Sequence, residues 1–199
     1  MRLMTSPALI RLATPADAEA VASIYAFYVA NTPISFEIAP PTEAELRTRI
    51  ERISERFPYL VYERDGRVEG YAYAGRHHER AAYDWTCEVS VYVQHGLHRR
   101  GIGRALYGAL FDLLRRLGYY NALAGITVPN DASVGLHTAM GFKPAGVNRN
   151  VGFKDGRWWD VAYLETALQG EYPTSVQPPL SIRDLKPDEI EAILRAHTL

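Results

Sequence analysis

The stretch His98-Arg99-Arg100-Gly101-Ile102-Gly103-Arg104-Ala105 separates a strand-like run, Val89 to Val93, from a helix-like one marked by Leu106, Leu110, Leu113, Leu114 and Leu117. A strand that delivers straight into a helix is the building unit of an α/β chain, so this junction narrows the fold before anything else is read. It also narrows the chemistry. Gly101 and Gly103 carry no Cβ, so the backbone can approach a ligand closely and aim unpaired N–H groups, at the positive end of a helix dipole, at an anion. Arg99, Arg100 and Arg104 add cationic side chains there. Two other phosphate turns are excluded: the dinucleotide fingerprint needs a third glycine where Leu106 stands, and no Gly-Lys-Ser/Thr follows as a P-loop requires.

The anion site must be local. Lys and Arg number 22 against 23 Asp and Glu, and a formal net charge of −1 provides no global field to hold nucleic acid or an anionic membrane surface. At 199 residues, 47% hydrophobic and 23% charged, the chain suits one globular domain with a full core and room for a terminal appendage. A single cysteine, Cys87, excludes an internal disulfide framework and a cysteine-rich zinc site, and the six histidines show no metal-ligand spacing, so no metal is expected. Met1 to Pro7 lacks the apolar core of a signal peptide, and the longest greasy run, Val21 to Ala30, is far short of the ~20 apolar residues a membrane span needs. The expected location is the cytoplasm.

Along the chain, Leu9 to Ala13 reads as a strand, followed by a helix to about Ala30 that Thr14 caps, Pro15 opens and Asp17 suits by charge. Thr42-Glu43-Ala44-Glu45 is a capping box for a charged helix to about Arg56. Asp65-Gly66 predicts a hairpin between Tyr59–Arg64 and Arg67–Gly75, and Asp155-Gly156 a second between Phe142–Phe153 and Arg157–Leu168. From Trp85 to Val93, Trp85, Cys87, Val89, Val91 and Val93 alternate with Thr86, Glu88, Ser90 and Tyr92, which puts Glu88 on the face opposite the aliphatic residues. Asn121 to Val128 reads as a strand, Asp131 to Met140 as a helix and Gly141 as its left-handed stop. After Gly170 the composition turns Pro-rich, and Pro187 opens a run with Ile190, Ile193 and Leu194 on one stripe.

The glycine turn resembles the pyrophosphate loop of the GNAT N-acetyltransferases, whose pattern is Gln or Arg, two residues, Gly, one residue, then Gly or Ala. His98 departs from that pattern at its first position. Three further segments resemble the phosphinothricin and methionine-sulfoximine N-acetyltransferase branch: Ala81 to Glu88, Val128 to His137, and Gly152 to Val161. The resemblance implies an α/β GNAT acyl-CoA N-acyltransferase fold, a central mixed, mostly antiparallel, twisted sheet flanked by helices. Residues 8–169 form the expected acetyltransferase domain, and 170–199 a Pro-rich linker plus a short amphipathic helix.

What the resemblance implies for single residues follows its motifs. Acetyl-CoA is the expected co-substrate, with Val91, Tyr92 and Val93 along its thioester end, His98, Arg99, Arg100, Gly101, Ile102, Gly103, Arg104 and Ala105 at its pyrophosphate, and Asn130 and Ser133 as further contacts. Glu88 is the expected general base; with a reference pKa of ~4.3, a carboxylate needs partial burial or a relaying water for that work near neutral pH. His137 stands where many members place a tyrosine. An imidazole there can protonate the departing thiolate or assist amine deprotonation. Tyr83 either hydrogen-bonds the thioester oxygen or packs. Phe36, Arg76, His77, Arg80 and Tyr83 are expected to frame the acceptor, with Arg76 and Arg80 suited to a carboxylate.

The expected function is acetyl transfer to the α-amine of a small amino acid analogue of the phosphinothricin or methionine sulfoximine type, by a homodimer whose partners are small amines, not nucleic acid or membrane. Other acceptors stay open (a polyamine, an aminoglycoside, a protein N-terminus), as does a non-catalytic acyl-CoA-binding or interaction module.

Overall fold

Two Asp-Gly pairs shape the sheet. Asp65 and Gly66 sit at φ +50° and +73°, Asp155 and Gly156 at +53° and +76°, the left-handed conformations whose twist matches that of the strands they join. The computed structural model describes residues 8–199, so the Met1–Pro7 stretch read for a signal peptide lies outside the described residues. The strands are β1 (Leu9–Leu12), β2 (Tyr59–Arg64), β3 (Arg67–Arg76), β4 (Thr86–Val93), β5 (Asn121–Val128), β6 (Lys143–Lys154) and β7 (Arg157–Ala167). They form one seven-stranded sheet in the order β1-β2-β3-β4-β5-β7-β6. Every pairing is antiparallel except β4 with β5, which the helix α3 (Ile102–Leu117) connects.

Helices cover both faces. α3 buries Leu106, Tyr107, Leu110, Leu113 and Leu114 in one core with Cys87, Val89, Ala122 and Ala124. On the other face, α1 (Ala18–Asn31) and α2 (Glu43–Ile53) pack Val21, Tyr25, Tyr28, Leu46 and Ile50 onto Tyr59, Val61 and Tyr71. The alternation read in β4 holds: Cys87 and Val89 face α3, whereas Tyr92 packs on the α1 side and Glu88 is exposed.

One local expectation is corrected. α2 ends at Ile53, not near Arg56, because Phe57 turns inward and is buried just before β2. α3 begins at Ile102, inside the glycine turn expected to open it, because the left-handed Gly101 at φ +84° breaks the chain there and nothing after it does. Asp17 stands at the N-terminus of α1, as its charge suits. It is buried at the end of a short 3₁₀ turn, Pro15–Asp17, and accepts two bonds from Arg11, at 2.7 and 2.8 Å, and one from the Thr14 N–H at 2.7 Å. Arg11 also reaches Glu63 at 2.8 Å, so one guanidinium ties β1 to β2 and to the entry of α1. A buried carboxylate is tolerable on such terms.

The Pro-rich segment runs back over the body: Leu180 N–H donates to the Leu117 carbonyl at 2.8 Å, Ile182 N–H to Arg56 at 2.9 Å, and the Trp85 indole to the Gln177 carbonyl at 2.8 Å. Ile182, Leu185, Ile190 and Leu194 join the α3 core, and α5 (Pro187–Ala196) packs on α3 and β1. Leu194→Ala is expected to lower unfolding free energy by about 2 to 4 kcal/mol in urea titration, the usual cost of truncating a core leucine. Unchanged stability would show that α5 does not share this core.

Candidate active site

The glycine turn is wound tightly, with Gly96 at φ +85°, Arg99 at +62° and Gly101 at +84°. Gly101 has no side chain to cap α3, so the first-turn N–H groups of Ile102, Gly103 and Arg104 are left to an outside acceptor. Arg99, Arg100 and Arg104 are exposed and form no ion pair among the described residues. A groove of about 440 Å³ runs over this turn between Val93, Leu97 and the start of α4 (Asp131–Ala139). Gly103 is needed small: a Cβ there would lie 3.1 Å from Leu136 Cδ2 and 3.9 Å from methyls of Val91 and Val93. His98 is turned aside. Tyr28 donates its hydroxyl to the Val93 carbonyl, so at 2.8 Å it accepts from His98 Nε2, and burial beside His95 lowers the His98 pKa.

Beyond the turn, the sheet parts. β4 and β5 pair only from Thr86–Glu88 against Asn121–Leu123, while β3 stays paired with β4 through Val93 and β7 with β5 through Val128. The facing edges after Glu88 and Leu123 therefore lack each other as partners, which a ligand's amides can replace. A small cavity of about 60 Å³ crosses the sheet at this split, reaching Ile34, Ser90 and Thr127 as well as Tyr107, Asn130, Ser133 and His137. An extended chain ending in phosphate fits this arrangement: unpaired strand edges for its amides, a cationic turn for its anion.

His137 and Tyr107 are buried at the split. His137 Nδ1 lies 2.8 Å from the Ser133 carbonyl, which only accepts, so Nδ1 carries the proton. Nε2 then accepts from the Tyr107 hydroxyl at 2.9 Å. Burial lowers the His137 pKa, against the pull of the Ser133 carbonyl, and pushes that of Tyr107 far up, so both are neutral and Tyr107 keeps its proton. Asn130 caps α4, its Oδ1 accepting from Ser133 N–H at 3.2 Å.

On the opposite face, at the last paired residue before the split, Glu88 accepts from His77 Nδ1 at 2.9 Å with its side chain 52% exposed. Tyr83 packs edge-on to His77. The sequence candidates His77, Tyr83 and Glu88 are thus brought together. Arg76 is held by Asp84 at 3.0 Å and Glu79 at 3.3 Å, while Arg80 is exposed with no ion pair among the described residues. Phe36 lies on Gly152, whose missing Cβ would fall inside the ring. That contact is locked by Lys154, which is buried and donates to the Val29, Thr32 and Ser35 carbonyls at 2.7, 2.9 and 2.8 Å.

Sequence reasoning missed Tyr107, Lys154, Ile34, Ser90 and Thr127 as site or supporting residues. Tyr107 shares the spacing of the leucines around it, so no pattern distinguishes it, whereas Lys154 lies inside the flagged Gly152–Val161 segment.

The sequence profile of the acetyltransferase (GNAT) domain matches residues 10–163. The chain is 42% identical over 172 residues to a phosphinothricin N-acetyltransferase of Streptomyces viridochromogenes, covering 86% of this chain and 93% of that one. It is 35% identical to the L-methionine sulfoximine/L-methionine sulfone acetyltransferase of Salmonella typhimurium, over 80% of this chain and 94% of that one. Among solved structures, a phosphinothricin acetyltransferase from Sinorhizobium meliloti in complex with AcCoA superposes with a TM-score of 0.83 at 34% identity, over 90% of this chain and 98% of that one.

The His137 assignment has a pH signature. A histidine held neutral below its ordinary value binds its proton less readily folded than unfolded, so its contribution to stability is full above about pH 6.5 and is lost as pH falls below that. Chemical denaturation at pH 7 and pH 5 is expected to show a smaller acid loss in His137→Asn than in the parent. Equal losses would mean that His137 is not held neutral.

Proposed function

Because the chain belongs to the GNAT acetyltransferase family and uses acetyl-CoA as acyl donor, we propose that it acetylates the α-amine of a small amino acid analogue of the phosphinothricin or methionine sulfoximine type. The observation that carries this reading is the split between β4 and β5 with Glu88 at its mouth. Acetyl-CoA supplies the activated thioester; the chain's residues bind it, orient it and move protons. Ile102, Gly103 and Arg104 N–H groups and the unpaired arginines hold the pyrophosphate, and the free edge of β4 from Val89 to Val93 takes the pantetheine amides.

An α-amine is protonated near neutral pH and must lose a proton to attack. Glu88 accepts it. The carboxylate is not buried, so the water-relay form of the expectation applies: His77 orients the carboxylate by its 2.9 Å bond, and the open side passes the proton to solvent. As the amine nitrogen bonds to the acetyl carbon, the C–S bond breaks and the thiolate takes a proton. Solvent supplies it, by the same relay that carries the amine proton away, while the Tyr107 hydroxyl, its proton held on His137 Nε2, lines the cavity at the split. This moves His137 from acid or base to positioning residue, since its Nδ1 proton is held by the Ser133 carbonyl and its Nε2 lone pair by the Tyr107 hydroxyl. Arg80, uncommitted, takes the acceptor's carboxylate. Arg76 supports the 76–84 loop through Asp84 instead.

The same proposal takes the working unit as a cytoplasmic homodimer. Cys87 is a buried free thiol, and the β6–β7 hairpin exposes Val147, Val151, Phe153 and Trp158, the last at 59%. An apolar face of that kind on a hairpin is suited to a second copy, and light scattering reads the result directly.

Two substitutions separate the halves of the site. Glu88→Gln is expected to lower kcat about a hundredfold with little change in acetyl-CoA affinity, the typical share of a positioned base. Gly103→Val is expected to weaken acetyl-CoA binding in calorimetry while the fold persists, because the new methyls meet Leu136, Val91 and Val93. A Glu88→Gln enzyme with most of its turnover from pH 6 to 9 would place the base elsewhere, and unchanged affinity in folded Gly103→Val would remove the loop assignment.

A further inference from the structure

The segment after α5 lies outside the matched family domain, yet it reaches the pyrophosphate turn. His197 donates from Nε2 to Asp112 Oδ2 at 2.7 Å and covers Gly108, where a Cβ would come within 2.5 Å of its Nδ1. A glycine inside a helix is less favourable than an alanine, and here it is the seat of the imidazole. Two residues on, the Leu199 side chain stands 3.2 Å from the position a Gly101 Cβ would take.

Between this segment, the first half of α3 and the end of α4 lies a groove of about 590 Å³, lined by Arg104, Gly108, Met140, His197 and Leu199. It shares Gly101 and Arg104 with the groove over the turn. A ligand whose pyrophosphate sits on the turn therefore meets this second groove next to its phosphates. Its walls offer a thioether, a leucine and an imidazole for a flat base, and at Arg104 a guanidinium free of ion pairs for a further phosphate. We propose that residues 197–199, with Met140 and Arg104, form a binding surface for the nucleotide end of the acyl donor, the adenosine 3′-phosphate, and so make donor affinity depend on a segment the family domain does not contain. This rests on the acetyl-CoA reading of the turn.

The test compares CoA with 4′-phosphopantetheine, which lacks the nucleotide, by calorimetry on the full chain. Leu199→Asn removes an exposed apolar contact without adding charge and leaves folding alone. It is expected to weaken CoA about fivefold to tenfold while 4′-phosphopantetheine stays within about twofold. His197→Ala, checked by melting temperature, is expected to act in the same direction. CoA affinity unchanged in both folded variants, or both ligands weakened alike, overturns the proposal. Wild-type protein that binds neither ligand overturns it as well, and that result alone would also remove the turn's assignment.

Discussion

The parting of β4 from β5 is the constraint the rest of the structure serves. Strands separated after three paired residues leave backbone N–H and C=O groups without partners inside a sheet, a cost that folding ordinarily avoids. It is tolerated because each strand is held firmly on its other edge, β4 by β3 through Val93 and β5 by β7 through Val128. The sheet is thus two stable halves joined at one end. α3 must leave the end of β4 and return to β5 across the gap, which places its N-terminus, the Gly101 turn and Tyr107 along the opening. The turn and the cavity both follow from where this one helix has to run.

Charge is distributed to match. Over most of the surface the arginines are matched: Arg11 with Asp17 and Glu63, Arg49 with Glu37, Arg76 with Asp84, Arg116 with Glu189. At the turn, Arg99, Arg100 and Arg104 have no ion pair among the described residues. A chain of net charge −1 therefore carries a local cationic site, which suits a diffusible anionic co-substrate.

Much of this was legible in the sequence because it rests on local rules. Asp-Gly pairs need left-handed backbone, so both hairpins were placed; period-two alternation put Glu88 opposite Cys87 and Val89; glycine at 101 and 141 marked a helix start and a helix stop. What escaped depends on contacts between distant positions. His98 is taken by Tyr28, seventy residues earlier, and Lys154 bonds carbonyls more than a hundred residues away. Tyr107 reads as one more core residue until His137 is seen beside it. The tail did not escape: a lone stripe of Ile190, Ile193 and Leu194 has to pack on something, and Ile190 and Leu194 are buried in the core while Leu180 and Ile182 hydrogen-bond the body.

That last point couples stability to chemistry. α5 and α3 bury a common set of side chains, and α3 is also the helix whose first-turn N–H groups have no side-chain cap and whose second turn carries Tyr107. A close-packed interface transmits displacement because its side chains have few alternative arrangements. A shift of α5 would thus reach Gly108 through His197 and Gly101 through Leu199, inside α3 and at its start. The segment beyond the family domain is in this sense an outer support of the glycine turn: the burial of Ile190 and Leu194 in the α3 core keeps His197 against Gly108 and Leu199 against Gly101.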